Sequence, residues 1–179
     1  MRYFMFIIIF GLFILACDDS TSPENILILS ISFERNGVGS LIGWEIDPEL
    51  ADYSGSTPVD GGSKSLKLIS GNTSEGYATK KITANHGDGI YQLSIWGKMS
   101  SEQLDSTGKV IFGTVNNGTV TQDKTAYLED TVWTEITITD TLTFAENDSI
   151  YIKLSAGTSE TSEVWYSLFD LLQLELIEE

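Results

Sequence analysis

The chain has 179 residues, 10 Lys+Arg against 26 Asp+Glu, a net charge of −16, one His and one Cys. That length supports one domain with a real core, or one domain and a tail. A single cysteine excludes an intramolecular disulfide framework and a Cys-rich zinc site, and the acidic balance argues against neutralising nucleic-acid phosphates or docking on anionic lipid. The apolar residues are unevenly placed. Residues 1–16 read MRYFMFIIIFGLFILA, and only Arg2 and Gly11 fall outside the hydrophobic class. Arg2 supplies a positive n-region, and Tyr3 to Ala16 an apolar h-region. The run is shorter than the ~20 residues that cross a bilayer as a helix. Polar sequence follows at once, so it reads as a cleaved signal.

Ile14-Leu15-Ala16-Cys17 resembles the bacterial lipobox. The resemblance implies that Cys17 becomes the lipidated first residue of the mature chain, with the thiol forming the thioether to diacylglycerol. The sole cysteine stands at that one place. Residues 17–25 then form the lipidated Cys and a polar, Pro-containing tether, and residues 26–179 the folded domain. Loss of residues 1–16 removes one charge, Arg2, and takes the net charge to −17. A lipid anchor implies a cell-envelope location, attached to a membrane through the N-terminus. The outer membrane or cell surface is preferred to the inner membrane.

From residue 26 onward short runs of β-branched and aromatic residues alternate with Gly, Asn, Asp and Ser, the pattern of strands and turns. The predicted strands are Ile26–Phe33, Leu41–Ile46, Ser65–Ser70, Gly76–Ile82, Tyr91–Trp96, Lys109–Val115, Thr119–Leu128, Val132–Ile138, Ile150–Leu154 and Leu168–Leu176. Asn116-Asn117-Gly118 and Asn147-Asp148 are turn signals. In Tyr91–Trp96, the residues Tyr91, Leu93 and Ile95 share one face, while Gln92, Ser94 and Trp96 share the other. In Ile150–Leu154 the isoleucines and Leu154 point in, and Tyr151 and Lys153 point out. About ten short strands without crossover helices predict an all-β antiparallel β-sandwich.

Several marks recur in a recognisable order: Ser32-Phe33-Glu34, Gly43-Trp44, Gly61-Gly62-Ser63-Lys64-Ser65-Leu66-Lys67-Leu68, Tyr91 to Lys98, Trp133-Thr134-Glu135 and Leu168-Phe169-Asp170-Leu171. Together they resemble the galactose-binding-like jelly rolls, especially carbohydrate-binding modules of the family 4 and family 22 kind, over about residues 26–177. The resemblance implies a structural calcium ion held by Glu34, Asp170 and backbone carbonyls around Gly61 to Lys64, with Asp60 as a further carboxylate. Calcium favours six to eight hard oxygen ligands drawn from distant segments. The family's second acid is absent, since the last motif reads Phe-Asp-Leu-Leu. The resemblance also implies that Trp44 and Trp133 pack into the core. The outward face of the sandwich would carry a sugar-binding groove, in which aromatic rings stack on pyranose faces. Trp96, Tyr151, Gln92 and Lys153 are the groove candidates. Trp165 and Tyr166, preceding the last strand, are candidates for a binding rim, with Tyr127 and Asp123 weaker ones.

Catalytic patterns are lacking in the sequence. His86 stands in the turn signal Asn85-His86-Gly87-Asp88-Gly89, and no Gly-x-Ser-x-Gly, His-Glu-x-x-His or phosphate loop occurs. The expected function is therefore non-catalytic binding of a polysaccharide or oligosaccharide by an anchored envelope lipoprotein, and not an enzyme. The alternative is a structural or adhesion β-sandwich that contacts another envelope protein.

Overall fold

The computed structural model describes residues 25–71, 74–100, 108–158 and 165–178. The signal segment and Cys17 lie outside the described residues. Thirteen strands follow in chain order among them: β1 (Ile26–Ile31), β2 (Glu34–Arg35), β3 (Val38–Gly39), β4 (Glu45–Ile46), β5 (Ala51–Ser54), β6 (Ser65–Ser70), β7 (Tyr77–Thr83), β8 (Gly89–Met99), β9 (Lys109–Asn116), β10 (Thr119–Tyr127), β11 (Thr134–Leu142), β12 (Asp148–Ser155) and β13 (Trp165–Glu178). A first sheet runs β11-β8-β13-β6-β5, with β1 also paired to β13. The second runs β10-β9-β12-β7-β4, and β2-β3 forms a small hairpin. Every pairing is antiparallel. The fold is the predicted antiparallel β-sandwich jelly roll.

Period-two alternation decides which residues meet between the sheets. From the first sheet come Tyr91, Leu93 and Ile95 of β8 and Phe169, Leu172 and Leu174 of β13, all fully buried. From the second come Val110 and Phe112 of β9 and Ile150, Ile152 and Leu154 of β12. Each such side chain contributes about 1.5–3 kcal/mol of apolar burial. On the side where edge strands β10 and β11 meet, polar contacts close the sandwich. Lys124 pairs with Asp140 at 2.9 Å and donates to the Thr139 carbonyl at 2.8 Å, while Gln122 bonds the Thr141 carbonyl.

The structure differs from expectation in particular elements. β5 and the β2-β3 hairpin are additional strands, too short to show alternation. The last strand begins at Trp165, so Trp165 and Tyr166 are its first two residues instead of a preceding rim. Trp44 packs against the core, its ring 5.4 Å from that of Phe33. Trp133 does not enter the core. It stands one residue before β11, with the Lys98 ammonium 5.3 Å over its ring, and the alternation of β11 puts it opposite the inward Ile136 and Ile138.

Candidate functional site

The outer face of the second sheet holds a depression of about 300 Å³. Its floor is a set of alternate residues on neighbouring strands: Tyr151 and Lys153 of β12, and Tyr77, Thr79 and Lys81 of β7. Register aligns them, because Tyr151 lies opposite Lys81, and Lys153 opposite Thr79. Glu45 of β4 bounds one edge. Val115, Gly118 and Val120 of the β9-β10 hairpin bound the other.

The hairpin wall has a local cause. Its turn places Asn117 (φ 47°) and Gly118 (φ 86°) in the left-handed region, the backbone that a tight two-residue hairpin requires. A bulge between Val120 and Gln122 then shifts the β10 register. The bulged backbone leans over Gly113, where a Cβ would collide with the Gln122 carbonyl oxygen and lie 2.7 Å from Asp123 Cα. Glycine at 113 is what lets β10 fold inward over the sheet.

One end of the depression is fixed by Glu75. Its Oε1 accepts from Lys153 Nζ at 2.7 Å. Its Oε2 accepts from Ser155 Oγ at 2.7 Å and pairs with Lys109 Nζ at 3.2 Å. Burial alone would raise the Glu75 pKa, but these three donors outweigh it and hold the carboxyl at about 2. The Lys153 ammonium also lies 5.5 Å from the centre of the Tyr77 ring. The Tyr151 hydroxyl is pushed above its usual pKa, first by burial and then by the carboxylates of Glu45, Glu75 and Asp123.

The sequence-predicted groove residues do not share one groove. Tyr151 and Lys153 lie in the depression, whereas Gln92 and Trp96 belong to β8 of the first sheet. There Trp96 is half-buried between Glu135 of β11 and Asp170 of β13. The physical reason is that both strands alternate correctly, but their outward faces are on opposite sides of the sandwich. Trp165 and Tyr166 are also in the first sheet, where the Lys67 ammonium lies 4.6 Å over the Tyr166 ring. Tyr127 and Asp123 are exposed on β10. Sequence reasoning missed Tyr77, Thr79, Lys81, Glu45 and Glu75.

A second constellation joins β2 to β13. Glu34 accepts from the Ser63 backbone N–H and from Ser63 Oγ, both at 2.7 Å, and these donors lower its pKa. Asp170 is fully buried. Its Oδ1 accepts from Leu171 N at 2.9 Å and Phe33 N at 3.4 Å. Oδ2 makes no hydrogen bond within normal geometry, and the Ser32 hydroxyl, likewise unbonded, lies close enough to the carboxyl to lower its pKa slightly. Burial chiefly, with the Glu34 charge adding, raises the Asp170 pKa to about 6. The two carboxylates meet over Gly61-Gly62: a Cβ at Gly61 would lie 2.7 Å from Asp170 Oδ2, and one at Gly62 would overlap Glu34 Oε1.

An orphaned buried carboxylate oxygen, a second carboxylate beside it and a side-chain-free loop fit a hard cation such as calcium. Asp60 is not part of this cradle. It is exposed, and among the described residues no three acids, histidines or cysteines gather as a metal group. The left-handed turn at Asp60 (φ 67°) and Gly62 (φ 71°) brings the loop's glycines, not the Asp60 carboxylate, to the pair.

No protein-family model matches the chain, and no curated protein matches it in sequence. Solved structures do. The CBM22-1 xylan-binding domain from Paenibacillus barcinonensis Xyn10C superposes with a TM-score of 0.60 at 18% identity, covering 86% of this chain and 96% of that one. A family 16 carbohydrate-binding module gives 0.55 at 20% identity, covering 75% and 91%. The enzymatically active domain of bacteriophage CBA120 tailspike protein 4 gives 0.61 at 15% identity, but this chain spans only 22% of it. At these identities the likeness is one of fold. The chain has the β-sandwich jelly-roll fold that these carbohydrate-binding modules share, with a depression on the outer face of its second sheet.

Proposed function

We propose that this domain binds a polysaccharide non-covalently in the groove of the second sheet. The observation that carries the reading is Tyr151, a half-buried ring in the depression, flanked by Tyr77, Thr79, Lys81 and Glu45. A ring of that kind stacks on the apolar face of a pyranose, and the surrounding amine, hydroxyl and carboxylate groups bond its hydroxyls. Glycosidase chemistry gains no support from this geometry. It needs a carboxylic acid whose pKa is raised, and Glu75 is instead held at about 2 by two lysines and a serine.

One neighbour is described as a xylan-binding domain, so xylan is the first ligand to test, beside cellulose derivatives and mannan. Native gels containing each polysaccharide should retard the wild-type domain. Tyr151→Ala should abolish the retardation, and Trp96→Ala, on the other sheet, should leave it intact. Passage unretarded through every gel, or retardation unchanged in Tyr151→Ala, overturns the reading.

The reading includes a calcium ion on Glu34, Asp170 and carbonyls of the Gly61–Lys64 loop, as a structural staple. It also includes lipidation at Cys17, which would hold the domain at the outer membrane or cell surface. Incorporation of labelled palmitate that is lost in Cys17→Ala tests the anchor.

A second reading, adhesion to another envelope protein, draws on the exposed apolar residues Val38 (68%), Ile42 (74%) and Val59 (82%). Capture of a partner that no sugar displaces, lost on substitution of those three residues by Ser, would favour it.

A further inference from the structure

Among the described residues, the groove contains one cation that no acid neutralises, and its neighbour is the stacking ring. Lys109 and Lys153 are both held by Glu75. Lys80 turns away from the groove, donating to the Gly43 carbonyl at 3.2 Å with its ammonium 5.5 Å over the Trp44 ring. Lys81 is exposed and lines the groove. No ion pair ties it to any described acid; the pairs among described residues involve Lys109, Lys124 and Lys153. Its cross-strand partner is Tyr151, and side chains directly opposite in an antiparallel pair start about 5 Å apart at Cβ. A sugar stacked on Tyr151 therefore presents its ring substituents to the Lys81 ammonium.

The surrounding field limits what anion can come there. Glu45 and Asp123 stand on opposite sides of the same face and both act on Tyr151. The whole chain carries −16. A polymer with a carboxylate on every residue meets this repulsion along its length. A neutral chain with an isolated carboxylate meets Lys81 with that one group and leaves neutral hydroxyls beside Glu45 and Asp123.

We propose that Lys81 is a specificity residue, selecting a mainly neutral glycan that carries isolated uronic acid side groups over both the bare chain and a polyuronate. This rests on the groove reading above. The ion pair is solvent-exposed, so the preference is modest, about threefold to fivefold, and is screened by salt.

Calorimetric titration of the full domain tests it. The probes are xylohexaose, cellohexaose and mannohexaose, the best-bound of these carrying one glucuronic acid branch, and polygalacturonate. Wild type should bind the branched hexaose about threefold to fivefold more tightly than the bare one in low salt, with the advantage shrinking in high salt. Polygalacturonate should not bind. Lys81→Gln should weaken binding of both hexaoses but erase the difference between them, and Lys81→Arg should restore that difference. Equal affinity of wild type for bare and branched hexaose overturns the proposal, as does an advantage that persists in Lys81→Gln or tight binding of polygalacturonate. Absence of binding to all the hexaoses, with polysaccharide gels equally unaffected by Tyr151→Ala, overturns the groove reading itself.

Discussion

Tyr151 shows how far a single residue can be read. Its outward direction follows from Ile150, Ile152 and Leu154 pointing in, and all three of these are buried. The same logic applied to Trp96 yields an equally correct direction but the wrong sheet, because alternation fixes the face within a strand and says nothing about which sheet the strand joins. Tyr77 and Lys81 are illegible for a different reason. In Tyr77-Ala78-Thr79-Lys80-Lys81-Ile82 the charged Lys80 shares a face with Ala78 and Ile82, so neither face reads as apolar. Only the structure shows Lys80 reaching the Gly43 carbonyl and the Trp44 ring. Glu75 carries a prediction at this scale. Folding favours its carboxylate, so its stabilisation is present above the ordinary glutamate value of 4.5 and lost as pH falls through about 2. At neutral pH, Glu75→Gln should cost about 1–3 kcal/mol in urea unfolding. It should also free Lys153 and Lys109, strengthening binding of branched acidic oligosaccharides. An unchanged midpoint would show the cluster to be idle.

At the scale of elements, the groove depends on β10 leaning over β9. The turn signal Asn116-Asn117-Gly118 is legible, and it forms the hairpin. The bulge that follows is not, since Val120-Thr121-Gln122 carries no marker for an extra residue; the one trace is Gly113 on the partner strand, a glycine inside a strand pattern. Gly113→Ala places a methyl against the Gln122 carbonyl, which is backbone and cannot rotate aside. We expect a loss of about 1–3 kcal/mol on urea denaturation, and weaker polysaccharide retardation because the wall is pushed off the floor. Gly118→Ala, in open space but at φ 86°, should cost about 1 kcal/mol through backbone strain alone. The contrast separates steric from torsional damage. β13 holds a similar hidden device. Its alternation breaks at Leu171, whose φ of 49° accompanies the register shift after Asp170. The bulge keeps Asp170 buried beside β2 while Leu172 and Leu174 return to the core. The run Phe-Asp-Leu-Leu contains residues that each suit a plain strand or its flank, so the bulge has no compositional signature.

For the molecule as a whole, the cradle of Glu34, Asp170 and Gly61-Gly62 ties the loops before β6 to the middle of the last strand, and its charge state links stability to pH. Asp170 has its pKa raised from 3.8 to about 6 by burial and by Glu34. Folding therefore favours the protonated acid. Without a cation, this contribution is fully present below pH 3.8 and is lost as pH rises through about 6. The difference corresponds to on the order of 3 kcal/mol at neutral pH. A calcium ion held there would reverse the preference, because it would require the carboxylate form of Asp170. In chelator, wild type should thus melt several degrees lower at neutral pH than in mildly acidic buffer below the Asp170 pKa, with the Asp170→Asn variant lacking this slope. In millimolar calcium, wild type should gain stability at neutral pH in proportion to the logarithm of the calcium concentration. It should gain less in the acidic buffer, where protons compete, and Asp170→Asn should gain little in either. Asp60→Asn should respond to calcium like wild type, since the structure leaves that carboxylate outside the cradle. A wild-type melting temperature indifferent to calcium at neutral pH would rule out the staple, and Asp170 would then stand as a buried carboxyl whose pKa is raised by its surroundings.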